Sequence, residues 1–167
     1  MIFSTIRRTG LKNKPWYGFL FDKLETMCDG EVSQFDNRYN TEITEEKYIE
    51  NIIGKTSAMF GIACGAGAYE GKCDEREVLA IEQFAEKFGL LFQLRDDLLD
   101  FAVTNDLSGK TIHNDFWSGY YTLPVIYSFS HVRNGSKLKQ IARNIKEGLY
   151  HELADKRITC LLYTSDA

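Results

Sequence analysis

The chain has 167 residues, enough for one domain or part of a larger one, with 44% hydrophobic and 26% charged residues. Those values exclude a disordered tail or a low-complexity polymer, and 20 basic against 24 acidic residues (net −4) give no basic excess for nucleic acid or an anionic membrane surface. Two prolines in the whole chain, and no Asn-Gly or Asp-Gly turn between alternating strands, predict an all-α fold. Cys28, Cys64, Cys73 and Cys160 form no C-x-x-C pair and no zinc spacing. They read as thiols of a reducing, cytoplasmic compartment. The N-terminus has its arginines after its few apolar residues, the wrong order for a secretory signal. The least polar stretch, Ile52 to Tyr69, carries Lys55 and four glycines, so no membrane span is expected.

The first predicted helix follows Pro15. Its stripe is Tyr17, Leu20, Phe21, Leu24, Met27 and Cys28, and it continues toward Phe35. A polar loop, DNRYNTE, comes next. The second helix starts at Thr44 as N-cap, with Glu45 and Glu46 in its first turn. Two adjoining stripes, Tyr48/Ile52/Lys55/Met59/Ile62/Ala66 and Ile49/Ile53/Thr56/Phe60/Ala63, make it apolar on most of its circumference. Gly61, Gly65 and Gly67 leave room for another helix, and Gly71 is expected to end it. The third helix opens at Asp74, with Glu77 completing a capping box, and runs to about Phe101. Val78, Ile81, Phe84, Phe88, Leu91, Leu94, Leu98 and Leu99 are its expected core face. A loop leads to an apolar stretch from Thr122 to Phe129, and then to an amphipathic segment from Ser136 to Leu153. The final CLLYTSDA continues no pattern. Residues 158–167 are read as a non-native tail behind one domain, 1–157.

The sharpest chemical feature is FQLRDDLLD. On a helix, Gln93, Asp96, Asp97 and Asp100 share one side, while Leu94, Leu98 and Leu99 point toward a core. Asp96 and Asp100 are a like-charge i,i+4 pair that costs about 0.2–0.5 kcal/mol, and no basic residue stands three or four positions away. A solvated acidic face would explain the cluster, and so would a hard divalent cation such as Mg²⁺, which bridges one or two carboxylates to phosphates. Lys55 sits in an apolar stripe, where it either snorkels to solvent or presents an ammonium to an anion. Lys110, after Gly109, is either an exposed loop residue or a second such cation. His113, His131 and His151 have no ligand spacing. The chain holds no H-E-x-x-H, P-loop or G-x-S-x-G sequence.

Together these residues resemble the trans-isoprenyl diphosphate synthases, or polyprenyl synthetases. The resemblance runs from about Leu20 to Leu149. It is carried by Gly30, Glu31 and Gln34; by Lys55 and Thr56 in YIENIIGKTSAMF; by LLFQLRDDLLDF; by Lys110; and by Asp115, Gly119 and Thr122 to Pro124. It implies antiparallel helices bundled around a central cavity, and head-to-tail condensation of isopentenyl diphosphate with an allylic diphosphate. It also implies Mg²⁺ at two aspartate-rich motifs, and a dimer for the full-length enzyme. Asp96, Asp97 and Asp100 then correspond to the second motif and the metal. Lys55, Thr56, Gln93 and Lys110 correspond to allylic diphosphate binding, with Lys55 and Lys110 the catalytic cations, and Phe92 to the isopentenyl side. No stretch matches the family's first aspartate-rich motif. Tyr120 stands where many members carry lysine before T-L-P, and His113 replaces a common glycine. The sequence therefore reads as the C-terminal part of such an enzyme. A non-catalytic subunit of a heteromeric synthase, and a terpene-cyclase-like relative, are the alternatives.

Overall fold

The computed structural model describes residues 17–102 and 114–148. Every described element is helical, as the shortage of proline predicts. The helices are α1 (Tyr17–Asp36), α2 (Glu45–Ile52), a π-helical turn (Ile53–Ser57) leading into α3 (Ala58–Glu70), α4 (Glu75–Ala102), α5 (Asn114–Trp117), α6 (Leu123–His131) and α7 (Gly135–Lys146). No described helix is long and apolar enough to cross a membrane. Lys110, His113, His151 and the expected tail lie outside the described residues.

Local chemistry explains where the helices begin. The Lys47 amide donates to Thr44 Oγ1 at 3.2 Å, so Thr44 caps α2. Asp74 Oδ1 accepts from the Glu77 amide at 2.9 Å, and Glu77 Oε2 accepts from the Asp74 amide at 2.9 Å, the reciprocal capping box. Gly71 ends α3 as its C-cap, as expected. Gly71 has an ordinary right-handed φ of −71°, and Lys72 takes the left-handed position at φ 68°. The Cys73 amide reaching Ala68 O at 3.1 Å closes that end. The predicted second helix is thus two helices joined by a widened turn at Ile53–Ser57, and the fifth predicted helix is α7, already complete at Lys146.

The chain divides into two units. The first gathers Ile52–Leu91 with the residues of α1 up to Glu31. Here Gly30 of α1 crosses Gly54 of the π turn with no room for a side chain on either. A Cβ on Gly30 would stand 2.9 Å from Gly54 Cα, and one on Gly54 would stand 2.9 Å from Gly30 Cα. On α3, added carbons at Gly61 and Gly65 would meet Glu86 and Glu82 of α4, as the small-residue stripe anticipates, whereas Gly67 faces open space. Lys23 of α1 pairs with both of those carboxylates, at 2.9 Å for Glu82.

The second unit gathers Val32–Asn51 with the residues from Phe92 onward. Its core is Phe116, Tyr121, Val125, Ile126, Phe129, Leu138, Ile141 and Ala142. The Tyr121 ring meets Phe129 edge-on at 5.1 Å and Phe116 at 5.5 Å. The stretch expected as a polar loop after α1 is ordered by α5. Tyr39 N donates to Gly119 O at 2.8 Å, and Arg38 Nη2 donates to Ser118 O at 2.7 Å. Gly119 has φ +80°, and a Cβ there would lie 2.6 Å from the Tyr39 ring, so this motif position admits only glycine.

The expected core face of α4 is not core. Phe84 is 71% exposed and Leu91 65%, and Ile81, Phe88, Leu98 and Leu99 are exposed too. The helix buries Glu82, Ala85, Gly89 and Asp97 instead. Helical spacing reports which residues share a side; it does not report which side meets a neighbour.

Candidate functional site

The acidic segment occupies the last two turns of α4, whose final turn contains no basic residue. Carboxylates there oppose the negative end of the macrodipole, and so are disfavoured twice, by the dipole and by one another. The three aspartates have different surroundings. Asp96 is exposed, Asp100 is half-buried, and Asp97 is 7% exposed. Among the described residues no cation pairs with Asp96 or Asp97.

Asp97 is held by neutral donors. The Tyr48 hydroxyl donates to its Oδ2 at 2.5 Å, and Gln93 Nε2 donates to its Oδ1 at 2.7 Å. Burial raises the Asp97 carboxyl above the ordinary aspartate range. The bonds from Tyr48 and Gln93 oppose that rise, and the charges of Asp115 and Asp96 add to it. Burial first, and then the bond to Asp97, push the Tyr48 phenol far upward, so it stays protonated and donates. The Leu123 backbone nearby works against that rise, and the charge of Asp115 adds to it. By its spacing Tyr48 belongs only to an apolar stripe. Its one distinguishing signal is a hydroxyl among mostly aliphatic positions.

Lys55 and Thr56 lie on the π turn, and such turns are frequent at functional sites. Thr56 is buried. Lys55 is half exposed, with its ammonium 3.3 Å from Glu31 Oε1. The Gly30–Gly54 crossing sets this pairing, because it brings the α1 backbone directly against the residue before Lys55. Within the second unit, Gln93 and Asp97 are thus brought together. Phe92 is exposed beside them on α4. Asp115, carried by α5, adds to the field at Asp97. Tyr120, the residue in the usual lysine position, lies under the Arg38 guanidinium at 5.1 Å.

Among the described residues, no group of three or more His, Cys, Asp or Glu side chains is arranged to hold a metal ion. The donor set is nonetheless carboxylate oxygen throughout, the chemistry of a hard divalent cation. Mg²⁺ needs only one or two carboxylates when waters and phosphates complete its shell. Asp96 and Asp100, one helical turn apart, fit that requirement.

The polyprenyl synthetase family model matches residues 1–157. The chain belongs to the polyprenyl synthetase family. It is 33% identical over 133 residues to heptaprenyl diphosphate synthase component 2 of Bacillus subtilis, covering 80% of this chain and 38% of that protein. The structure of a decaprenyl diphosphate synthase from Rhodobacter capsulatus matches with a TM-score of 0.78 and 28% identity, covering 96% of this chain and 48% of that one. A polyprenyl synthase from Caulobacter crescentus, complexed with calcium and isoprenyl diphosphate, matches with a TM-score of 0.76 and 27% identity over 90% of this chain and 46% of that one. The fold is the all-α fold of these polyprenyl synthetases, and the chain spans less than half the length of each.

Proposed function

We propose that the protein carrying this chain is a prenyltransferase, condensing isopentenyl diphosphate with an allylic prenyl diphosphate. The carbon–oxygen bond to the allylic diphosphate breaks, a carbon–carbon bond to the isopentenyl double bond forms, and a proton is lost. One observation carries this reading: an acidic stretch on α4 whose Asp96 and Asp97 meet no cation among the described residues, in a chain that follows the family's motif order. Asp96 and Asp100 would hold Mg²⁺ against the diphosphate. When bound, Mg²⁺ neutralises charge on the leaving group. Lys55 and Thr56 on the π turn, and Lys110, would bind the allylic diphosphate. Gln93 would orient Asp97, and Phe92 would lie on the isopentenyl side.

The test is prenyl transfer by the protein containing this chain, assayed with both diphosphates. Activity should require Mg²⁺, disappear on chelation, and fall roughly a hundredfold or more in Asp96→Asn. Undiminished turnover in that variant contradicts the proposal. The 167 residues assayed alone are expected to be inactive, since they contain no counterpart of the first aspartate-rich motif. A second reading, a subunit of a heteromeric synthase, is favoured by the similarity to a relative named as a component. It predicts that activity appears only when a second, different chain is added.

A further inference from the structure

Three stretches that are separate in the sequence meet at one hydroxyl. Tyr48 belongs to α2, just before the Gly54–Lys55–Thr56 turn. Asp97 belongs to the acidic end of α4. Leu123 opens α6, in the Thr122–Leu123–Pro124 run. The Tyr48 hydroxyl donates to Asp97 Oδ2 at 2.5 Å, and the Leu123 backbone lies close enough to act on the same phenol. The first amides of a helix have no partner within it. Thr122, at the N-cap, makes no side-chain capping bond. Gln93 occupies the other Asp97 oxygen at 2.7 Å. For Asp97 to turn toward a cation it would have to leave a buried phenol without an acceptor.

We propose that Tyr48 is a positioning residue: it locks Asp97 of α4 against α2 as an internal brace, and so leaves Asp96, with Asp100 one turn away, to meet a cation–diphosphate ligand. This rests on the reading of the protein as a prenyl diphosphate enzyme. The two neutral donors make a second consequence plain. An amide keeps one acceptor oxygen for the Tyr48 hydroxyl, and Gln93 can turn its own amide oxygen toward the new NH2, so Asp97→Asn keeps the bond from Tyr48 and Asp97→Ala destroys it.

The test titrates Mg²⁺ with inorganic pyrophosphate into the purified protein containing this chain by calorimetry, and follows thermal unfolding of the same samples without metal. Tyr48→Phe should weaken Mg²⁺-dependent pyrophosphate binding about tenfold, the scale of losing a partner that orients metal ligands. Asp97→Ala should weaken it similarly, and the double variant no further. Asp97→Asn should lose markedly less. Asp96→Asn should lose the most, and its loss should multiply with that of Tyr48→Phe. Binding by Tyr48→Phe within about twofold of wild type, or losses from Tyr48→Phe and Asp97→Ala that multiply, overturns the proposal. If wild type shows no Mg²⁺-dependent pyrophosphate binding, the prenyl diphosphate reading fails, and the brace is judged by unfolding alone. A single shared drop in midpoint for Tyr48→Phe, Asp97→Ala and their double variant supports it, and additive drops refute it.

Discussion

Along α4, Glu82 and Glu86 converge on the Lys23 ammonium, whereas Asp96 and Asp97, further down the same helix, meet no cation among the described residues. Glu82, Glu86, Gln93, Asp97 and Asp100 follow one another at spacings of four, seven, four and three residues and so occupy one side of one helix. The two stretches therefore face the same electrostatic problem with different solutions. In the first, burial works against the Lys23 charge, yet the bonds and charges of Glu86 and Glu82 outweigh it and raise the lysine's pKa. In the second, one carboxylate is buried against the neutral donors of Tyr48 and Gln93, and another is left in solvent at the unfavourable end of the helix. Compensated charge serves the fold. Charge left over after folding can meet a ligand of opposite sign.

Four substitutions break or sharpen this contrast. Lys23→Met should cost the most, about 1–3 kcal/mol in urea unfolding, because it strands the buried Glu82 beside Glu86. Gln93→Leu should cost about 1–2 kcal/mol by removing one of the two donors to Asp97. Asp96→Asn should act with the opposite sign. Without metal it should stabilise the chain by about 0.2–0.5 kcal/mol, since it relieves repulsion with Asp100 and removes a charge from the helix C-terminus. A loss of stability there would mean that Asp96 has a structural partner. The smallest effect belongs to Glu42, an exposed carboxylate whose pKa is lowered chiefly by its bond to Lys139. A lowered folded pKa means stability that is present above the unfolded value of 4.5 and lost as the pH falls through the folded one. The slight excess stability of wild type over Glu42→Gln should therefore be full near neutrality and vanish in acid, as measured by unfolding midpoints across that range.

Features built from neighbouring residues are legible in the amino-acid sequence itself. The Thr44 cap, the Asp74–Glu77 box and the shared side of Gln93, Asp96, Asp97 and Asp100 all depend on spacings of three or four positions. The Tyr48–Asp97 bond is not legible there, because it joins residues 49 apart and tyrosine in an apolar stripe has no distinctive pattern. The π turn is hidden for a related reason: the apolar periodicity of α2 and α3 runs through it, and it lies where Gly30 of α1 crosses Gly54. Gly71 ends α3 as the sequence suggests, but the left-handed residue after it is Lys72, and the Cys73 amide closes that end. With four residues, α5 is too short to carry a periodic signal. The apolar side of α4 is a genuine stripe but not a core, since composition along one helix holds no information about what packs against it.

The most direct test of the central claim is a calorimetric titration of Mg²⁺ and inorganic pyrophosphate into the protein containing this chain, as wild type and as Asp96→Asn side by side. The account predicts saturable, pyrophosphate-dependent Mg²⁺ binding in wild type that is largely lost in Asp96→Asn while that variant unfolds at the same midpoint or higher. Equal binding by both proteins, or none by wild type, would contradict the assignment of this acidic helix end to a metal-bridged diphosphate.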